Sequence, residues 1–477
     1  MFKYDKELSS GKLCELFIRE GNFMSDGISI YSRDGPFYLR IPDRELPTEL
    51  RKLLTIETRL ELSPYKLDTI IELLKQAPQI RINTNVCNTG RILFRNGIYD
   101  VQDGKLHPHD EKYNWATVDA NYIADAKLET APIFLAFVKS SLEYPEKPEK
   151  LNLLLEVLGY ILSDYICAKV AFFFIGEPSS GKSKVLEFLQ RLLGDDAVSQ
   201  ISLAQIGSRF NLGQLRDKRL NVCTELPSNK FPSIDAFKAV TACDRIYGEL
   251  KCKDGFSFYP KIKLLNAGNN VPFPSNTDGT RSLVERMTFL LFPKSIPREQ
   301  WHVNLVEELL AEKNVICSLA VKKLKKLVEA KFEFAMPEDS RQFANDYRDA
   351  LDAFNLFVKG ACILQEEAQI SSQQLWEAYQ EFCSANTFPK GITQQIFVQK
   401  IGLVRGVEKK RMRENGRQIT IFIGISLREG VDGWVDSGRT KKKQENQIIV
   451  APKFKKSRQS LGNLKQPTQI YDQGGLI

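Results

Sequence analysis

Gly176-Glu177-Pro178-Ser179-Ser180-Gly181-Lys182-Ser183 is the stretch from which the rest of this chain is read. It fits the spacing G-x-x-x-x-G-K-[ST] of a phosphate-binding loop. A very apolar run, residues 170–175, leads into it, and a helical pattern follows. In that context successive backbone N–H groups and the positive end of a helix face one small volume. Glycine lets the main chain curl close to phosphate oxygens. Lys182 would reach the terminal phosphates of a nucleotide, and the Ser183 hydroxyl would hold Mg²⁺. The whole octapeptide is therefore the candidate nucleotide-binding segment.

The chain has 477 residues, 43% of them hydrophobic, enough for more than one core. Charged residues make up 26%, and the net charge is +8, a mild excess whose distribution matters more than its size. Nine cysteines are scattered without a Cys-x-x-Cys, and there are only three histidines, which argues against a zinc site. Unclustered cysteines suit a reducing compartment. There is no apolar signal core at the N-terminus and no run approaching a membrane span, so a cytoplasmic protein is expected.

Residues 1–80 are mixed, with β-like pieces at 27–31 and 36–41 and a helical pattern over 66–76. In that pattern Leu67, Ile70, Ile71 and Leu74 share one face. Residues 81–126 read as strands and turns, and residues 131–166 as helix broken by Pro145 and Pro148. Alternating strand and helix signals over 170–292 predict a parallel sheet covered by helices. Helical periodicity returns over 300–327. A unit of helices ending in two strands, 408–413 and 417–423 joined at Asn415-Gly416, occupies 351–427. Beyond it Gly, Lys, Gln and Ser dominate, and a disordered basic tail is expected. The resulting division is 1–80, 81–160, 161–300, 301–350, 351–427 and 428–477.

Hydrolysis needs more than a phosphate loop. The apolar run Leu220-Asn221-Val222-Cys223-Thr224-Glu225 ends in an acid where a parallel sheet places ligands, so Glu225 is the candidate for Mg²⁺ and for polarising water. Taken alone it reads equally as a solvated loop glutamate. A third strand, 261–266, leads to Asn269, whose amide could bond the γ-phosphate or its attacking water; turn chemistry before Pro272 is the plainer reading. Arg286, before the apolar run 287–292, could stabilise a transferring phosphoryl group, often one held by a neighbouring subunit, or could simply pair with Glu285. Between these elements residues 246–258 read as a hairpin turning at Asp254-Gly255, with Lys251 and Lys253 on one strand face, where they read equally as solvated lysines or as nucleic-acid contacts.

This ordered set resembles the superfamily 3 helicases, and most closely the C-terminal half of phage and plasmid primase-helicases, which also resembles the poxvirus primase-helicase. The likeness runs over residues 85–300. It includes Arg209-Phe210-Asn211-Leu212-Gly213 and Lys218-Arg219-Leu220-Asn221 before the acidic strand, Asn269-Asn270-Val271-Pro272, Glu285-Arg286, and upstream Asn96-Gly97-Ile98-Tyr99-Asp100. Thr224-Glu225 stands where the family often has an acidic pair or Ser-Glu, and Cys243 replaces a small glycine. The resemblance implies an α/β fold: an AAA+ P-loop NTPase core preceded by an α+β, collar-like domain. It further implies a homo-hexameric ring that hydrolyses ATP with Mg²⁺ at subunit interfaces and translocates on single-stranded DNA. Lys182 and Ser183 would hold phosphates and metal, Glu225 would be the Walker B acid, Asn269 the sensor and Arg286 the finger acting in trans. Lys251 and Lys253 would be pore-hairpin DNA contacts. Residues 1–80 are too few for a primase-polymerase domain, so a separate primase or other replication proteins are the expected partners.

The unit at 351–427 points to nucleic acid independently. Helix, helix and a two-stranded wing suggest a winged helix, and Lys409, Lys410, Arg411, Arg413 and Arg417 make the wing basic enough for duplex DNA. The leading expectation is an ATP-dependent replicative DNA helicase of a mobile element. Two other readings stay open: a P-loop ATPase that remodels nucleic acid without unwinding, and an ATP-gated winged-helix initiator or regulator.

Overall fold

A computed structural model of the chain describes residues 2–81, 88–110, 117–226, 233–251, 254–272, 280–351, 353–385, 394–402, 404–414 and 417–428. Its centre is a five-stranded parallel sheet. We label the strands β1 (Ala171–Gly176), β2 (Val198–Ser199), β3 (Leu220–Cys223), β4 (Lys263–Gly268) and β5 (Met287–Phe292); across the sheet they run β5-β1-β4-β3-β2. β1 is paired on both sides, Ala171 lying beside Leu264 and Met287, and Gly176 beside Phe292. All six of its residues are buried, which is why it reads as a continuous apolar run.

Side chains alternate across the sheet and build two cores. Phe172, Phe174, Leu265 and Leu290 face the helices Pro148–Leu162, Lys182–Leu193 and Lys313–Glu329. Ala171, Phe173, Ile175, Leu264 and Phe289 face Ile234–Ala242 and Glu338–Leu351. We label the helix Lys182–Leu193, which follows the phosphate loop, α1.

The N-terminal residues form an α+β unit with its own core. Helix Pro64–Gln76 buries Leu67, Ile70, Ile71 and Leu74, as its periodicity requires. The strand expected over 27–31 begins only at Ile30, because the Asp26 carboxylate accepts from the backbone N–H of Ile28 (2.8 Å) and Ser29 (2.7 Å) and holds a turn there. Residues 353–427 follow the order helix, strand, helix, helix, strand, strand. Strand Arg417–Leu427 is central, with Cys362–Ser371 on one side and Glu408–Glu414 on the other. The first of these strands replaces the purely helical start expected from the sequence; Glu414 pairs with Arg417, and Asn415-Gly416, where the tight turn is expected, lie outside the described residues. The tail after residue 428 lies outside the described residues. No described helix is long and apolar enough to cross a membrane.

Arg219 fastens the sheet to the preceding domain. Its guanidinium donates to the carbonyls of Thr117 (2.6 Å) and Leu162 (3.0 Å), while its backbone N–H donates to Ala197 (2.8 Å) and its carbonyl accepts from Lys263 (3.0 Å). Removing the side chain strands two partly buried carbonyls, each costing about 1–3 kcal/mol. Arg219→Met is therefore expected to lower unfolding stability by about 2–4 kcal/mol, read as a shift in urea midpoint with unchanged slope.

Candidate functional site

The strand registers decide which sequence candidates meet. β1 ends at Gly176, and in the same layer β4 ends at Gly268, opposite Ile175. On β3, Cys223 lies beside Asn266, so Thr224 and Glu225 emerge level with Ala267 and Gly268. The Leu226 N–H donating to the Ala267 carbonyl (3.1 Å) continues that pairing. Gly176–Ser183, Asn269 and Glu225 thus leave the sheet at one carboxyl edge, with β1 and β3 about 10 Å apart. Glu225, Asn269 and Ser183 are exposed there, free to meet a ligand.

The loop itself is held tightly. A Cβ on Gly176 would fall on the Phe292 carbonyl, which accepts from the Glu177 N–H (3.2 Å). The Ile296 N–H donates to the Ser179 carbonyl (3.0 Å), so the chain leaving β5 braces the loop from outside. Gly181 caps α1 at φ +96°, a left-handed conformation natural to glycine, and Ser179 also has positive φ, +56°. Lys182 is buried and its ammonium folds back onto the loop, donating to the carbonyls of Gly176 (2.8 Å) and Glu177 (2.6 Å) and to Ser180 Oγ (3.1 Å). Burial pushes its pKa down to about 8, with the Glu177 carboxylate opposing.

One contributor was not legible in the sequence. Helix Pro132–Leu142 packs Phe137 and Ser141 on Gly181, and Ser141 Oγ is buried without a hydrogen-bond partner. A serine in an apolar helix carries no signal that it will face a loop forty residues on.

Arg286 is not brought to this edge. It precedes β5, next to the start of β1, where its carbonyl accepts from the Ala171 N–H (2.7 Å). Six residues of strand, about 20 Å, separate it from the phosphate loop of its own chain. Its side chain is half-buried, and one terminal guanidinium nitrogen, Nη1, is buried without a hydrogen-bond partner.

The lysine hairpin is shorter than expected. Ile246–Gly248 pairs with Phe256–Phe258, and Lys251 lies in the connecting loop, exposed, rather than on a strand face. The strand stops because Gly248 packs directly against Gly213 and Glu249 N–H turns to the Arg209 carbonyl (3.1 Å). Lys253 lies outside the described residues. On the C-terminal sheet Lys409, Lys410, Arg411 and Arg413 are exposed; Lys409, Arg411 and Arg413 alternate onto one face of strand Glu408–Glu414, and Lys410 pairs with Glu408 (3.2 Å). The side chain of Arg417 is not among those described.

The donor set fits nucleotide with Mg²⁺. A magnesium ion is usually bound by one or two carboxylates together with substrate phosphates. Among the described residues no cluster of three His, Cys, Asp or Glu offers a complete metal site, while Ser183 and Glu225 supply an oxygen each at the carboxyl edge.

Among known proteins, a family described as "Family of unknown function (DUF5906)" matches residues 174–286, the span from β1 to Arg286. Among solved structures, the chain is similar to the apo C-terminal region of NrS-1 (305-718), at 14% identity and a TM-score of 0.45. That superposition covers 89% of this chain and 100% of the other. The A form of the apo NrS-1 C-terminal region superposes at 13% identity and a TM-score of 0.41, covering 86% of this chain and 98% of that one. Superpositions of this quality establish neither a shared fold nor a shared activity.

Lys182 also makes a prediction about pH. Its folded pKa of about 8 lies below the ordinary 10.5, so between those values the unfolded chain binds more protons. Its contribution to stability is lowest below pH 8 and rises as pH climbs through that window, by up to about 3 kcal/mol. The stability difference between wild type and Lys182→Met, measured by urea unfolding at pH 7.5 and 10, is expected to move in favour of wild type at the higher pH. A difference that stays constant would mean the ammonium is not desolvated.

Proposed function

We propose that the chain is an ATP-dependent motor on DNA of the superfamily 3 helicase kind, working in the replication of a mobile element. Its AAA+ P-loop core would hydrolyse ATP with Mg²⁺ at the interfaces of a homo-hexameric ring. The supporting observation is the division of candidate residues between the two edges of one sheet: phosphate loop, Glu225 and Asn269 at the carboxyl edge, Arg286 at the amino edge. A guanidinium that far from its own loop serves hydrolysis only in a second copy of the chain.

ATP supplies the phosphoryl group and Mg²⁺ offsets its charge. Lys182 would leave the loop carbonyls for the terminal phosphates, Ser183 and Glu225 would hold the metal, and Glu225 with Asn269 would orient the attacking water. Arg286 of one copy would face the charge developing on a neighbour's nucleotide. The order of elements over 353–427, with its basic outer strand, supports a winged helix whose hairpin contacts duplex phosphates. In the leading reading it loads the motor. Should ATP turnover prove negligible while duplex binding survives Lys182→Ala, the ATP-gated initiator is the better description.

The test is ATP hydrolysis with and without single-stranded DNA. Lys182→Ala and Arg286→Ala are each expected to lower turnover by about a hundredfold or more. Mixed in equal amounts they are expected to regain part of it, because roughly a quarter of the interfaces in a cyclic assembly then combine an intact loop with an intact arginine. Mixtures no better than either variant would sink the shared-site reading.

The wing has its own test. Lys409→Glu and Arg411→Glu are expected to weaken duplex binding and to reduce the slope of log affinity against log salt by about 0.9 for each phosphate no longer neutralised. An unchanged slope in both would assign the hairpin to solvent.

A further inference from the structure

The amino edge of the sheet, opposite the phosphate loop, is not closed. A cleft of about 1500 Å³ lies there, between the N-terminal unit and the starts of β3 and β4. Its walls carry eleven Lys or Arg against seven Asp or Glu. Typical small-molecule sites are about 300–1,000 Å³, so this space is large for a metabolite.

Several of the cations are already spoken for. Arg95 lies between Asp34 (2.9 Å) and Asp119 (2.7 Å), and Arg91 meets Asp100 (3.3 Å). Others make no direct ion pair of this kind, beyond a sequence neighbour, among the described residues. Arg40 has its Nε buried with no hydrogen-bond partner, while the Asp217 carboxylate lies within electrostatic reach of it. Arg44 touches only its sequence neighbour Glu45 (3.4 Å), with its side chain 86% exposed. Lys218 gives its ammonium to the main-chain carbonyls of Asp195 (3.1 Å) and Asp196 (2.7 Å) rather than to a carboxylate.

Flat rings are interleaved with these charges. The guanidinium of Arg216 stacks over Phe256 at 4.7 Å, and Tyr259 stands 61% exposed on the same wall. Cations following a backbone, with rings on which bases stack, are how single strands are held without regard to sequence. An acidic peptide would use the charges but not the rings.

We propose that this cleft is a binding site for single-stranded nucleic acid, built jointly by the N-terminal unit and the amino edge of the sheet. Phosphates lie along Arg40, Arg44 and Lys218, and bases stack on Tyr259 and on the Arg216–Phe256 pair. The site deepens the proposed function by giving the N-terminal unit a role as a strand guide. It stands without ATP, since it lies on the other side of the sheet from the nucleotide.

The experiment is fluorescence anisotropy of a labelled oligo-dT with the full chain, without nucleotide, over a series of salt concentrations. Arg44→Glu is expected to weaken binding about fivefold or more and to lower the salt slope by about 0.7 for each phosphate it no longer neutralises. Arg40→Glu is expected to do the same, and Tyr259→Ala to weaken binding without changing the slope. Arg44 and Tyr259 are exposed enough that their substitution leaves folding intact, which thermal melting verifies. Affinity and slope unchanged in Arg44→Glu and Tyr259→Ala would overturn the proposal. So would competition by polyglutamate as effective as that of oligo-dT, which would make the cleft a protein site. The Lys182→Ala variant should bind the oligonucleotide as wild type does. If ATP turnover is absent while Arg44→Glu still loses the oligonucleotide, the motor reading fails and the cleft stands.

Discussion

The pairing of Ala171–Gly176 with a strand on each side is the constraint on which the rest depends. Every residue of that strand is buried, so its backbone groups must be satisfied by neighbours and its side chains must supply both cores. With β4 and β5 in register beside it, the main chain can leave only at the carboxyl edge, against the Phe292 carbonyl. No side chain fits at Gly176, and the loop that follows is curled by the packing of the strand before it. Lys182 then has three oxygens to satisfy its ammonium in a site that burial would otherwise make costly. The loop is held in shape by its own carbonyls, which accept from the Lys182 ammonium.

What was legible from residues alone follows the same logic. The glycine turn between Ala171–Gly176 and Lys182–Leu193, the strand Met287–Phe292 and the helix Pro64–Gln76 are written locally, in glycine spacing, an apolar run and a 3.6-residue period. The strand expected at 261–266 lies instead at Lys263–Gly268, because its bounds are set by pairing with β1 and β3 and not by its own composition. Val198–Ser199 is too short to show any period. Cys362–Ser371 was hidden for another reason: a run of exposed residues, Ile363 to Glu367, interrupts any alternation, and only the apolar central strand Arg417–Leu427 calls it into the sheet. The hairpin lysines fell to backbone contact between Gly213 and Gly248, a close approach that residue identity permits but does not announce.

The two edges of the sheet carry opposite electrostatic problems. At the carboxyl edge, one buried lysine is held by two main-chain carbonyls and the Ser180 hydroxyl, and under the proposed function a nucleotide's phosphates compete with them for it. At the amino edge, cations gather without enough carboxylates to match them, and two arginines keep a buried nitrogen with no acceptor: Nε in Arg40 and Nη1 in Arg286. An unpaired buried donor costs about 1–3 kcal/mol, more when charged, so an acceptor brought to either nitrogen would be favoured. Arg40 opens on the cleft beneath the N-terminal unit, and Arg286 lies about 20 Å of strand away from the candidate phosphate loop of its own chain. Under the proposed function the acceptors are a strand of nucleic acid for Arg40 and the nucleotide of a second copy for Arg286. On that reading the charges of a single subunit balance only when it is assembled and loaded.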